Sequence, residues 1–181
     1  MAYLLRTLIV IMICAIALTA CTALGFIDLP LGHIRLAIPA FLYTIFAQAF
    51  VMFYFIGVSR LSQNVSDILN SETNLHELFD NPPEDLTPYI KKVDKFVYDS
   101  TLAKRQTIPW TILMLVLGMA AFLLGGAHDT GLVEKTIHSG VVYGFMAAMT
   151  IGFVRQWIHL GRAHKLLRKL KGLFSIPDGQ M

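Results

Sequence analysis

The sequence predicts an all-α membrane protein: four transmembrane helices, a cytoplasmic helical hairpin between the second and third helices, and a basic amphipathic C-terminal helix. Composition supports this class, because 55% of the residues are hydrophobic and only 15% are charged. A soluble domain has about 45–50% apolar and about 25% charged residues. The length of 181 residues fits a single membrane domain.

Four apolar runs without Asp, Glu, Lys or Arg cover residues 7–27, 36–59, 106–127 and 136–154. Each run is close to the ~20 residues that a helix needs to cross a bilayer's hydrocarbon core. Proton relays and most ion-coupled carriers need ionisable groups at depth in the membrane. The absence of these four residue types from the runs therefore disfavours a carrier mechanism in this chain alone.

The basic residues predict the orientation of the four helices. Of the 15 Lys and Arg residues, all but Arg35 and Lys135 lie on the side of the N-terminus if the runs alternate in direction. Because positively charged residues are enriched in cytoplasmic segments, we expect both termini and residues 60–105 in the cytoplasm. This pattern predicts a multi-pass protein of the bacterial inner membrane.

The N-terminal run allows a second interpretation. The stretch Leu18-Thr19-Ala20-Cys21 resembles a lipobox, at which cleavage would leave a lipidated Cys21. The apolar run continues beyond Cys21 to residue 27, whereas the apolar part of a signal peptide spans about 7–15 residues. The sequence therefore favours a retained transmembrane helix.

Small residues recur at a spacing of four in the last apolar run and at a spacing of seven in the third. Such spacings predict helix faces without bulky side chains, along which another membrane helix packs closely. Gln48, an amide inside the second run, is expected to form an interhelical hydrogen bond. The predicted helix-packing residues are Gly140, Gly144, Ala148 and Gly152 in the last run, and Gly118 and Gly125 in the third.

The segments outside the runs are predicted to be helical. Residues 60–105 contain two amphipathic stretches around Asn81-Pro82-Pro83, a pattern typical of a hairpin with an acidic tip. The pattern of residues 155–175 predicts a basic amphipathic helix that binds anionic lipid headgroups. The alternative is that this helix binds an acidic partner or the acidic tip of the chain's own hairpin. The predicted lipid-binding residues are Arg162, Lys165, Arg168, Lys169 and Lys171.

Histidines at the outer ends of the helices are the candidates for a metal or haem site. His33, His128 and His138 should lie at the same side of the membrane. Imidazole with carboxylate binds Zn or Cu, and two helical histidines can ligate a haem. The alternative is that these side chains only contact water at the interface.

Taken together, these patterns predict a non-catalytic accessory or assembly subunit that packs against a larger membrane complex and binds no cofactor. Its expected partners are membrane lipids and other membrane subunits; a net charge of +3 gives no indication of nucleic-acid binding. The main alternative is a redox membrane anchor that binds haem or a Zn or Cu ion near the outer face through His33 and His138. A third is a membrane-remodelling or signalling module that acts through the hairpin.

Overall fold

Four long helices make up the computed structural model, which describes residues 2–30, 32–71 and 74–174. The helices are α1 (Ala2–Ala23), α2 (Gly32–Ser71), α3 (Thr87–Asp129) and α4 (Lys135–Phe174), and a short 3-10 helix, Leu75–Glu77, follows α2. The described ranges contain no β-strand. All four helices are long and apolar enough to cross a membrane. The prediction of an all-α fold with four helices able to span a membrane is thus confirmed.

Three of the helices extend well beyond the apolar runs that predicted them. α2, α3 and α4 contain 40, 43 and 40 residues. At about 1.5 Å per residue each is roughly 60 Å long, about twice the hydrocarbon thickness. The predicted C-terminal helix, residues 155–175, is the direct continuation of α4 up to Phe174, and residue 175 lies outside the described residues.

α1 ends at Ala23, four residues before the end of the first apolar run. The amide of Phe26 donates to the carbonyl oxygen of Cys21 at 2.9 Å. Gly25, between them, has a φ of +77°, a left-handed conformation that glycine adopts without steric cost. This C-terminal cap turns the chain, so that residues 24–27 do not continue the helix although they are apolar.

The start of α3 is fixed by an exposed carboxylate. The backbone N–H of Thr87 donates to Asp85 Oδ1 at 2.9 Å, and Pro88 occupies the first turn, where it requires no hydrogen-bond donor. Hydrogen bonds from the side chain and backbone of Thr87 lower the pKa of Asp85. The capping group therefore stays ionised to a lower pH than an ordinary aspartate.

The larger of two hydrophobic cores lies between all four helices. α1 contributes Leu5, Ile9, Met12 and Ile16, which follow one another at helical spacing and are 8% exposed or less. These side chains pack with Phe55 and other buried residues of α2, α3 and α4. Burial of one stripe per helix leaves large apolar side chains exposed on the outside of the bundle, as expected where the surroundings are lipid.

A smaller core lies beyond the predicted spans, where the end of α4 joins α2 and α3. Its buried members are Val65, Leu69, Leu78, Val93, Leu170 and Phe174. The Phe174 ring lies 5.2 Å from that of Phe79, centroid to centroid, in an edge-on contact. The sequence pattern predicts membrane contact for this apolar face of α4, but the structure turns it toward the chain's own helices. The reason is that α4 continues in line with its span and meets the extensions of α2 and α3.

In the larger core, α3 and α4 come close together at Gly152. A Cβ atom there would lie 2.6 Å from Met114 Sδ and 2.8 Å from Met114 Cε. A Cβ on Gly140, in the same helix, would meet nothing within 4 Å. The absence of a side chain at position 152 therefore leaves room for the end of the buried Met114 side chain.

Replacing Gly152 with valine should lower the free energy of unfolding by roughly 1–3 kcal/mol, because Met114 must leave a well-packed position. Gly140→Val is the matched control and should leave stability unchanged or slightly higher, since valine has a better helix propensity than glycine. SDS titration in mixed micelles, followed by circular dichroism, measures both. Equal midpoints for the two variants would contradict this account of the packing.

Candidate functional site

A cavity of about 360 Å³ lies between the four helices at the end of the bundle where residues 24–30 and 130–134 are found. We call it the His138 cavity. α1 contributes residues between 16 and 23, α2 between 33 and 44, α3 between 118 and 129, and α4 between 138 and 146. Its position at one end of a helical bundle is a common location for a ligand site.

The cavity exists because small side chains line it. Alanine and glycine recur on the lining faces of α1, α2 and α3, whereas Met12, Phe55 and Met114 fill the neighbouring core. No large side chain of the described residues fills the space that these faces leave. The small lining residues are Ala20, Ala23, Ala37, Ala40, Gly118, Ala121, Gly125 and Gly126.

Gly118 and Gly125, predicted from their spacing to pack against another helix, face side chains of α4. A Cβ on Gly118 would lie 3.2 Å from the ring of Phe145, and a Cβ on Gly125 would lie 3.2 Å from His138 Cε1. Both glycines thus admit an α4 ring against the α3 backbone. The sequence spacing predicts a close contact at each of these glycines, but it does not predict which side chain of the other helix makes that contact.

The three candidate histidines come together at this end of the bundle. His33 and His138 both line the cavity, and the ring of His128 lies against that of His138 with centroids 6.0 Å apart. His128 Nδ1 is 3.1 Å from the carbonyl oxygen of Val133. Within the described parts of the chain, however, no three His, Cys, Asp or Glu side chains are placed to hold a metal ion together. Haem or metal binding stays a prediction.

Few polar groups face the cavity, and the threonines among them are already paired. Thr19 Oγ1 donates to the carbonyl oxygen of Ala15 at 2.8 Å, and Thr44 Oγ1 donates to that of Ala40 at 2.7 Å. His138 Nδ1 is buried and has no hydrogen-bond partner among the residues described. The site is therefore an apolar cavity with the imidazole of His138 in its wall.

Two buried glutamines connect the helices next to this cavity. Gln156 Nε2 donates to Gln48 Oε1 at 2.6 Å and to Thr111 Oγ1 at 2.9 Å. Gln48 Nε2 lies 3.4 Å from both Gln156 Oε1 and Met12 Sδ. We call these four residues the amide cluster; it joins all four helices. The interhelical hydrogen bond predicted for Gln48 is confirmed.

Gln156 is the partner that the sequence reasoning missed. It follows Arg155, which ends the last apolar run, so the apolar runs alone place it outside the membrane-spanning segment. The sequence feature that indicates its burial is its position four residues after Gly152, which is buried on the same side of α4. Gln48 stands well inside its own run, so the contact also means that the apolar runs of α2 and α4 do not end at the same level.

The spacing-of-four stripe of α4 does not form a single face. Ala148 and Gly152 are buried, whereas Gly140 and Gly144 are exposed and a Cβ on either would meet nothing within 4 Å. The reason is geometric: at about 3.6 residues per turn, each step of four residues rotates by about 40°. From Gly140 to Gly152 the rotation is about 120°. The prediction that all four share one face is wrong, and among the described residues nothing packs closely on Gly140 or Gly144.

The predicted lipid-binding residues lie on the outside of α4. Arg162, Lys165, Arg168 and Lys169 are exposed and Lys171 is half-buried. Two other arginines contact tryptophans nearer the spans, Arg6 over Trp157 at 4.8 Å and Arg155 over Trp110 at 5.5 Å. These cation–π contacts were not anticipated from the sequence, because each joins residues that are distant in the chain.

No protein-family model, curated protein or solved structure matches this chain. The function is therefore argued from the chain's own residues. Two features are suitable starting points: the His138 cavity inside the bundle and the exposed small residues of α4 outside it.

Replacing Gln156 with leucine should lower the free energy of unfolding by about 1–3 kcal/mol, because Gln48 would remain buried without its amide partner. Gln63→Leu, on the exposed surface of α2, is the control and should change stability little. The double variant Gln48→Leu/Gln156→Leu should recover part of the loss, since it leaves neither amide unpaired. Unfolding in mixed micelles of these variants, and of Gln48→Leu alone, checks this; simple additivity of the two single effects would contradict coupling between the amides.

Proposed function

We propose that this protein is a non-catalytic subunit of the bacterial inner membrane, which packs against a transmembrane helix of a larger membrane complex. The observation that carries the proposal is an exposed strip of small residues on α4. Gly140, Gly144 and Ala147 are all exposed, and a Cβ on either glycine would meet nothing of this chain within 4 Å. We call these three residues the α4 groove.

The groove has the shape that close helix packing in lipid requires. At about 100° per residue, Gly140, Gly144 and Ala147 lie within about 60° of one another around α4. The exposed side chains of Ile137 and Tyr143 flank them. Helix association in hydrocarbon depends on van der Waals contact and close backbone approach, which small residues permit. A partner helix would pack against Gly140 and Gly144 as closely as the Met114 side chain packs against Gly152.

The parts outside the spans support a role as a connecting subunit. We place both termini and residues 60–105, as a helical hairpin, in the cytoplasm, in accordance with the distribution of Lys and Arg. The hairpin shares its hydrophobic core with the end of α4. The exposed acidic residues Asp80, Glu84 and Asp85 lie between α2 and α3, where a basic partner could contact them.

The exposed basic residues of α4 support a second contact, with the anionic leaflet. Arg162, Lys165, Arg168 and Lys169 project from a helix whose apolar face is already covered. We therefore propose that they bind lipid headgroups by charge alone, without insertion of apolar side chains. Each such residue near an anionic surface contributes about 1 kcal/mol.

Replacing Gly144 with leucine should reduce recovery of the partner subunit at least tenfold, because the larger side chain blocks close helix approach. The measurement is quantitative mass spectrometry of the tagged protein purified from its native membrane in mild detergent. Gly57→Leu is the matched control: Gly57 is an exposed glycine of α2, and a Cβ there would also meet nothing within 4 Å.

A photo-crosslinking residue at position 144 should capture the same chain, and one at position 57 should not. Recovery of the same partners with Gly144→Leu and with Gly57→Leu would contradict the docking proposal. The folded state of each variant is checked by its melting temperature, which we expect to be unchanged.

Replacing Lys165, Arg168 and Lys169 together with glutamine should remove the preference of the protein for anionic lipid. Wild-type protein in nanodiscs with phosphatidylglycerol is expected to melt at higher temperature than in pure phosphatidylcholine, and added salt should reduce the difference. The control variant neutralises Asp80 and Glu84, which are exposed, and should keep the difference. A lipid preference that survives the triple replacement would exclude these residues as the binding surface.

A further inference from the structure

We infer that the His138 cavity binds an uncharged, lipid-soluble molecule that carries a single hydroxyl or carbonyl group. The polar group would lie against His138, and the apolar body would lie along the alanines and glycines of α1, α2 and α3. This inference is independent of partner docking, because the α4 groove lies outside the bundle and shares no residue with the cavity lining.

The size and walls of the cavity determine the kind of ligand. A volume of about 360 Å³ lies within the range of roughly 300–1,000 Å³ typical of small-molecule sites. The walls are formed mainly by Ala, Gly, Ile and Phe side chains. Moving a charged group out of water into such surroundings is costly unless an opposite charge accompanies it. His33 and Asp129 are exposed, so they can serve only the rim, and the ligand's body is uncharged.

The imidazole of His138 determines the polar group. It lines the cavity and, unlike His33 and Asp129, it is not an exposed side chain. A neutral imidazole nitrogen donates to a carbonyl oxygen or accepts from a hydroxyl, depending on its tautomer. The two lining threonines are already bonded to their own helices. One hydrogen bond, at His138, therefore orients the ligand.

The outer wall of the cavity indicates that the ligand comes from the bilayer. Ile34 and Ile38 of α2 and Phe122 and Leu123 of α3 line the cavity. The same side chains are 48%, 46%, 38% and 63% exposed on the outside of the bundle. In a membrane this surface faces lipid, so a lipid-soluble molecule reaches the site by lateral movement between α2 and α3. The stacked rings of Phe41 and Phe122, with centroids 5.0 Å apart, cross that boundary.

The test uses full-length protein in phosphatidylcholine nanodiscs and two probes, 1-naphthol and naphthalene, which differ by one hydroxyl group. Equilibrium dialysis gives the amount bound per protein, with protein-free nanodiscs as the measure of partitioning into lipid. Ala20→Phe fills the cavity from α1, and Ala17→Phe places the same side chain on the exposed surface of α1. Ala37→Phe, from α2, is a second filling variant for the case that Ala20→Phe does not fold.

We expect saturable binding of one 1-naphthol per wild-type chain, unchanged in Ala17→Phe and weakened at least tenfold in a folded filling variant. Relative to lipid partitioning, 1-naphthol should bind about 3–10-fold more tightly than naphthalene, the ratio that one hydrogen bond provides. His138→Leu should bring this ratio close to one while naphthalene still binds.

Three results would overturn the inference. The first is binding of 1-naphthol that does not saturate or is equal in wild type and a folded filling variant. The second is a naphthol preference that His138→Leu leaves unchanged. The third is a purified protein that carries a haem absorption band or stoichiometric metal lost in His138→Leu, since the nitrogen would then be a ligand to that group. Loss of partner docking in Gly144→Leu has no bearing on any of these readouts, so the two proposals fail separately.

Discussion

The pairing of Gln48 with Gln156 is the constraint on which the arrangement of the helices depends. Both side chains are 0% exposed, and an amide without a partner in such surroundings is strongly unfavourable. Apolar contacts tolerate a shift of one helix along another, whereas these hydrogen bonds do not. Through Thr111 and Met12 the same cluster reaches α3 and α1. It therefore fixes the relative heights of all four helices, with the cavity on one side and the smaller core on the other.

The helices themselves could be predicted from the sequence because hydrocarbon imposes a simple rule on composition and length. Their ends could not be predicted equally well. α1 ends at Ala23 because a glycine cap overrides apolar composition. α4 passes Arg155 without a break because a charge ends an apolar run but does not end a helix. A spacing of four from Gly140 to Gly152 predicts one face because four residues are just over one turn, but the excess of about 0.4 residue accumulates over three steps.

The candidate site was accessible from sequence only in part. His33, His128 and His138 were expected at one level because they flank apolar runs, and the structure brings them to one end of the bundle. The cavity beside them depends on which faces of α1, α2 and α3 meet, a property of packing that no single segment encodes. A small residue in a helix allows either a close contact or an open space beside it. Gly152 is in close contact with Met114, whereas Ala20 lines the cavity. Which of the two occurs depends on the side chains of the neighbouring helices.

The continuity of α2, α3 and α4 has a mechanical consequence. Each helix passes without interruption from the level of the cavity to the smaller core, and the amide cluster holds it at an intermediate point. Such an element behaves as a lever with a fixed fulcrum. Phe174 lies 18 residues beyond Gln156, or about 27 Å along the axis, so a tilt of about 5° at the cluster displaces it by about 2.4 Å. A small change in helix separation at the cavity would thus move Phe174 at the opposite end of the molecule, within the core that it shares with α2 and α3.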